Sequence, residues 1–107
     1  MADARQPASS PPPRRRERSD LYATILEVVK RHRNAARITR ISYGAGMPVD
    51  RLNVAVDQLV GLGLLARRVD DDIAWYEVTA RGQEFLTTYW RMRGYIDLFD
   101  AEPDRFV

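Results

Sequence analysis

The chain has 107 residues, 45% of them hydrophobic, with no cysteine, one histidine and a formal net charge of +2. That length accommodates one domain with an ordinary core, and the missing thiols and lone His32 exclude a disulfide framework, a thiolate metal site and a histidine metal cluster. No run approaches the ~18 consecutive apolar residues of a membrane span and the N-terminus lacks a signal peptide's apolar segment, so a soluble cytoplasmic protein is expected.

Residues 1–18 (MADARQPASSPPPRRRER) read as a disordered basic arm, because Pro and Ser dominate and Pro11–Pro13 hold the chain extended. Its Arg14, Arg15, Arg16 and Arg18 form the densest positive cluster, suited either to phosphates or to solubility. A first helix is predicted from a cap at Ser19 or Asp20 to about Arg33, on the helical spacing of Leu21, Ile25, Val28 and Val29. Residues 34–37 connect it, with room for a very short strand. Thr39 is the predicted N-cap of a short second helix that buries Ile41 and Ala45 and is broken by Gly44 and Gly46. Tyr43 is expected to pack.

Met47 and Pro48 lead into a third helix, where Leu52, Val56 and Leu59 form the apolar stripe and Gly61-Leu62-Gly63 ends it. A hairpin follows: 64–69 and 73–78 are strand-like around Asp70, Asp71 and Asp72, with Ala74, Tyr76 and Val78 on one face and Trp75 and Glu77 on the other. Thr79 caps a last helix over 80–100. Phe85, Tyr89, Met92, Ile96 and Phe99 recur on it with an a/d rhythm, interrupted at Gly94. Residues 101–107 read as an acidic tail. The fold class is mostly α with a two-stranded wing: a winged helix-turn-helix over 19–79 followed by a long helix.

Three stretches carry a family resemblance: Thr39-Arg40-Ile41-Ser42-Tyr43-Gly44-Ala45-Gly46-Met47, Leu59-Val60-Gly61-Leu62-Gly63-Leu64-Leu65, and Tyr76-Glu77-Val78-Thr79-Ala80-Arg81-Gly82-Gln83-Glu84-Phe85-Leu86. In this order and spacing, 20–99 resembles a family of small archaeal winged-helix DNA-binding proteins. The resemblance implies a homodimer joined by an antiparallel coiled coil of the last helix, with Phe85, Tyr89, Met92, Ile96 and Phe99 as its seam. It also implies a chromatin-like or regulatory role on the nucleoid.

A DNA-binding reading assigns the third helix to the major groove. Val49, Arg51, Asn53 and Val54 are candidates for base contacts, while Asp50 and Asp57 favour a merely solvated face. Arg37, Thr39, Arg40 and Ser42 are placed to meet the backbone, and Arg67 and Arg68 to flank the minor groove. The acidic wing tip departs from a DNA-inserting wing, and three consecutive carboxylates in a tight turn do not converge on a metal. Trp75 and Trp90 are read as a half-exposed wing residue and a dimer-seam residue rather than base-stacking groups. With no nucleophile–base set, phosphate loop or metal cluster, the chain reads as not an enzyme, with no cofactor and no legible small-molecule ligand. Double-stranded DNA is the expected partner, through a regulator, an architectural protein of low specificity, or failing DNA a protein-interaction module.

Overall fold

The computed structural model describes residues 15–101, with side chains over 17–99. The elements are α1 (Arg15–Arg31), α2 (Ile38–Ala45), α3 (Val49–Gly61), β1 (Leu65–Asp70), β2 (Ile73–Val78) and α4 (Ala80–Ala101). Helix, helix, helix, hairpin, long helix is the expected order. α1 starts at Arg15 rather than at Ser19, so Arg15, Arg16 and Arg18 lie on a helix and not on an extended arm. Arg14 and residues 102–107 of the acidic tail lie outside the described residues, while Ala101 is the last residue of α4.

One core joins all the elements. Ile25, Leu26, Val28 and Val29 of α1 meet Ile41 of α2, Leu52, Val56 and Leu59 of α3, Leu65 and Tyr76 of the hairpin, and Leu86 and Tyr89 of α4. Each wholly buried Leu or Ile stabilises the fold by about 1.5–3 kcal/mol relative to exposure, so the predicted α3 stripe is a true core face. Gly44 does not break α2. It lies within the helix, where an added Cβ would come 2.7 Å from Val28 Cγ1, so it allows α2 and α1 to approach closely. Gly46, at φ +65°, ends the helix. Thr39 is not the cap: Arg37 holds that position and no side chain caps the helix.

β1 and β2 pair antiparallel with Asp70 opposite Ile73, leaving Asp71 and Asp72 as a two-residue loop, both at positive φ. Two left-handed residues give the turn whose twist matches a hairpin, and aspartate tolerates that conformation better than most residues. A third chain segment extends this sheet. Ala36 exchanges two backbone hydrogen bonds with Tyr76, at 3.0 and 2.8 Å. Two residues earlier, the Asn34 side-chain amide imitates a strand: its Nδ2 donates to Val78 O (3.2 Å) and its Oδ1 accepts from Val78 N–H (2.7 Å). Arg33 and Asn34 both sit at positive φ, 61° and 56°. Asn34→Ala should therefore cost about 2 kcal/mol, from an unsatisfied strand amide and a poorer left-handed residue. Asn34→Asp, which keeps the acceptor, should lose less. Urea denaturation of the two variants checks this ranking.

α4 starts on a two-sided cap. Thr79 Oγ1 accepts from the Gly82 N–H (2.9 Å) and donates to Gly63 O (2.6 Å). Side chains then tie α4 to α1: Tyr89 donates to Asp20 (2.5 Å), Trp90 Nε1 to Glu27 (2.7 Å), and Lys30 reaches Gln83. Burial, followed by the Asp20 carboxylate, pushes the Tyr89 phenol up to about 12. The helix runs unbroken through Gly94.

Candidate nucleic-acid interface

α3 exists because Leu52, Ala55, Val56 and Leu59 recur at helical spacing, and burying them fixes which side faces out. On that outer side Val49, Asp50, Arg51, Asn53, Val54 and Asp57 are all exposed. Among the described residues, no hydrogen bond or ion pair engages the Arg51 or Asn53 side chain. Asp50 lies in the first turn, where the helix dipole favours a carboxylate.

Asp57 is not a bare repulsive charge. Arg67 of β1 reaches across to it (3.2 Å) while its Nε donates to the Tyr76 hydroxyl (3.0 Å). Tyr76 first, and then Asp57, hold the Arg67 guanidinium above its ordinary pKa. This arginine braces the wing against α3. Arg68 pairs with Glu77 across the hairpin (2.9 Å), which likewise raises its pKa. Both wing arginines are thus already matched within the domain.

At the other end of the turn, Arg37, Thr39 and Arg40 are exposed around the start of α2. No side chain caps α2, so its first N–H groups lack a side-chain acceptor, and Arg37 and Arg40 stand beside them. Ser42 is otherwise employed: its hydroxyl donates to Met47 O and closes the α2–α3 turn. Tyr43, expected to pack, is 87% exposed on α2. Trp75 is exposed on the wing, with the Arg37 guanidinium 6.0 Å from its ring centroid. Arg31 and Arg33, which pattern reading passed over, join Arg37, Arg40 and Trp75 around an open cleft of about 490 Å³. Among the described residues no group of histidine, cysteine or carboxylate side chains is arranged to hold a metal, and no helix is long and apolar enough to cross a membrane.

The expected seam of α4 divides in two. Tyr89 is buried in its own domain and Phe85 is partly buried and packed against the same core, with their rings 6.3 Å apart. Beyond them Met92, Tyr95, Leu98 and Phe99 are exposed and Ile96 is half-buried.

A family model described as winged helix-turn-helix matches residues 15–96. The chain belongs to the winged helix-turn-helix family. Among solved structures it is similar to Sso10a-2, a DNA-binding protein from Sulfolobus solfataricus, at 26% identity and a TM-score of 0.69, over 80% of this chain and 88% of that one. It shares its fold with the transcriptional regulator BldR from the same organism (20% identity, TM-score 0.65, 79% of this chain and 61% of that one). A MarR-family regulator from Silicibacter pomeroyi is similar too (23% identity, TM-score 0.62, 74% and 56%). The chain thus spans about three-fifths of those two regulators' lengths. No curated protein matches it. These structural relatives are regulators and a DNA-binding protein, and the fold is not that of an enzyme.

Proposed function

We propose that the protein is a transcription regulator that binds duplex DNA as a twofold dimer, with α3 in the major groove. The observation that carries this reading is the division of α3: its inner stripe is wholly buried, and its outer side presents Arg51, Asn53, Val49 and Val54 with both polar groups unengaged. Arginine suits guanine, asparagine suits adenine, and valine suits a thymine methyl. Arg37, Thr39 and Arg40 meet the backbone beside the groove, and Arg67 orients the wing rather than touching DNA. The Sulfolobus relative described as DNA-binding supports the assignment. So does α4, whose Met92, Ile96 and Phe99 continue the a/d rhythm beyond the domain's own core. Acting on chromosomal DNA places the protein on the nucleoid in the cytoplasm.

Two substitutions separate a sequence reader from an architectural binder. Asn53→Ala should cost about 1–3 kcal/mol on the preferred duplex and relax selection at one base position. Arg40→Ala should weaken every duplex alike and flatten the salt dependence by about one unit of log–log slope. If Asn53→Ala is also uniform across sequences, the protein binds DNA architecturally.

A further inference from the structure

We propose that the corner where α1 passes into α2 is a second phosphate site, one that takes the backbone of the same duplex outside the major-groove contact. This rests on the DNA-binding reading above and adds to it the roles of Arg31, Arg33 and Trp75.

The corner is unusual in its charge. Arg31, His32, Arg33, Arg37 and Arg40 line the cleft, together with Trp75, and no carboxylate does. Three arginines elsewhere in the domain have acidic partners, Arg67 with Asp57, Arg68 with Glu77 and Arg93 with Asp97, whereas Arg51 on α3, like the cleft arginines, has none among the described residues. Among the described residues, none of the four arginines of the cleft has an ion-pair partner. Four guanidinium groups lining one cleft repel one another, and an anion between them relieves that repulsion.

The site is also held rigidly. Arg33 adopts a left-handed backbone conformation that an arginine gains nothing from locally. It is kept there because Asn34, next to it, is clamped to Val78 and Ala36 is paired with Tyr76. The same pairing brings Trp75 to the wall of the cleft, where its ring offers a flat apolar surface to a sugar or base. Pockets for small organic ligands are mostly apolar and enclosing, whereas this cleft is cationic and open, as suits a strand passing through. Its geometry points to duplex backbone for another reason. Arg37 and Arg40 stand at the start of α2, and α2 turns directly into α3, so a duplex seated on α3 lies beside them.

The test uses the full chain and measures affinity for a preferred and a random duplex across a salt series. Arg31→Gln/Arg33→Gln should flatten the log–log salt slope by about 2, at roughly 0.9 per phosphate. The fold-loss should be the same for both duplexes, and the melting temperature should stay within about 2 °C because both side chains are exposed. In a Trp90→Phe background, the remaining Trp75 emission should change on addition of duplex and not on addition of millimolar AMP. An unchanged slope alongside intact DNA binding overturns the second site and leaves the α3 reading standing. A Trp75 response to AMP with an unchanged slope assigns the cleft to a free nucleotide and overturns it equally. If the wild-type chain binds no duplex at low salt, both readings fail together.

Discussion

Gly82→Ala should lower the melting temperature by on the order of 15 °C, equivalent to about 3 kcal/mol for a domain of this size. Gly82 is the third residue of α4, and a Cβ there would stand 2.2 Å from Leu64 O, 2.8 Å from Val78 Cγ1 and 3.1 Å from Leu64 C. The oxygen and carbon of Leu64 are backbone, so no side-chain rotation relieves the clash. The same Leu64 carbonyl accepts from Thr79 N–H, and Thr79 in turn caps α4 through the Gly82 N–H. Moving α4 outward would therefore loosen its cap, its approach to the wing and the burial of Leu86 at once. Gly94→Ala is the matched control. Among the described residues nothing apart from its chain neighbours and its own helix backbone comes within 4 Å of a Cβ there, so it should stabilise the helix by up to about 1 kcal/mol. Calorimetry of the two variants decides the matter. Equal melting temperatures would mean that α4 does not approach the Leu64 backbone as closely as described.

Met92→Asp should convert the proposed dimer to a monomer while leaving the domain folded. Met92 is exposed on its own domain, so the monomer loses little. In a twofold contact the change is felt twice, and losing a buried Met costs about 2–5 kcal/mol per site. The dimer dissociation constant should rise by at least about 10³-fold on that basis. Affinity for a palindromic duplex should then fall on the order of 10²-fold or more as the second half-site is lost, with half-site affinity unchanged. Sedimentation and binding to both duplexes measure the two effects together. A variant that stays dimeric, or a wild-type chain that is monomeric at micromolar concentration, contradicts the assignment of α4.

The element order was readable because the core announces itself locally. Leu52, Val56 and Leu59 mark α3, alternation marks β2, and Thr79 marks the start of α4. What escaped was set by partners distant in sequence. Nothing apolar signals the first turn of α1, so its start at Arg15 was invisible to periodicity. Thr39 looks like a cap, but the Ala36–Tyr76 pairing carries the chain straight into the helix at Ile38. The a/d rhythm from Phe85 to Phe99 reads as one seam. Periodicity reports an apolar stripe and not what covers it, and Phe85 and Tyr89 are covered by their own domain.

The interface follows the same rule. Val49, Arg51, Asn53 and Val54 were legible as the outer side of α3, because the inner side was. The engagement of Arg67 with Asp57 and Tyr76 and of Ser42 with Met47 was not, since a side chain's availability depends on neighbours that only the fold supplies. Arg31, Arg33 and Trp75 meet because the Asn34 amide substitutes for a strand against Val78, a contact spanning 44 positions that leaves no local pattern.

Base reading is tested by the affinity of the full chain for a library-selected duplex and for a random genomic duplex, each measured across a salt series. With base reading by α3, the selected duplex binds on the order of 10³-fold more tightly at physiological salt, and both affinities fall steeply as salt rises. Equal affinities with one shared slope would contradict base reading by α3, and no binding to either duplex at low salt would contradict the DNA-binding assignment itself.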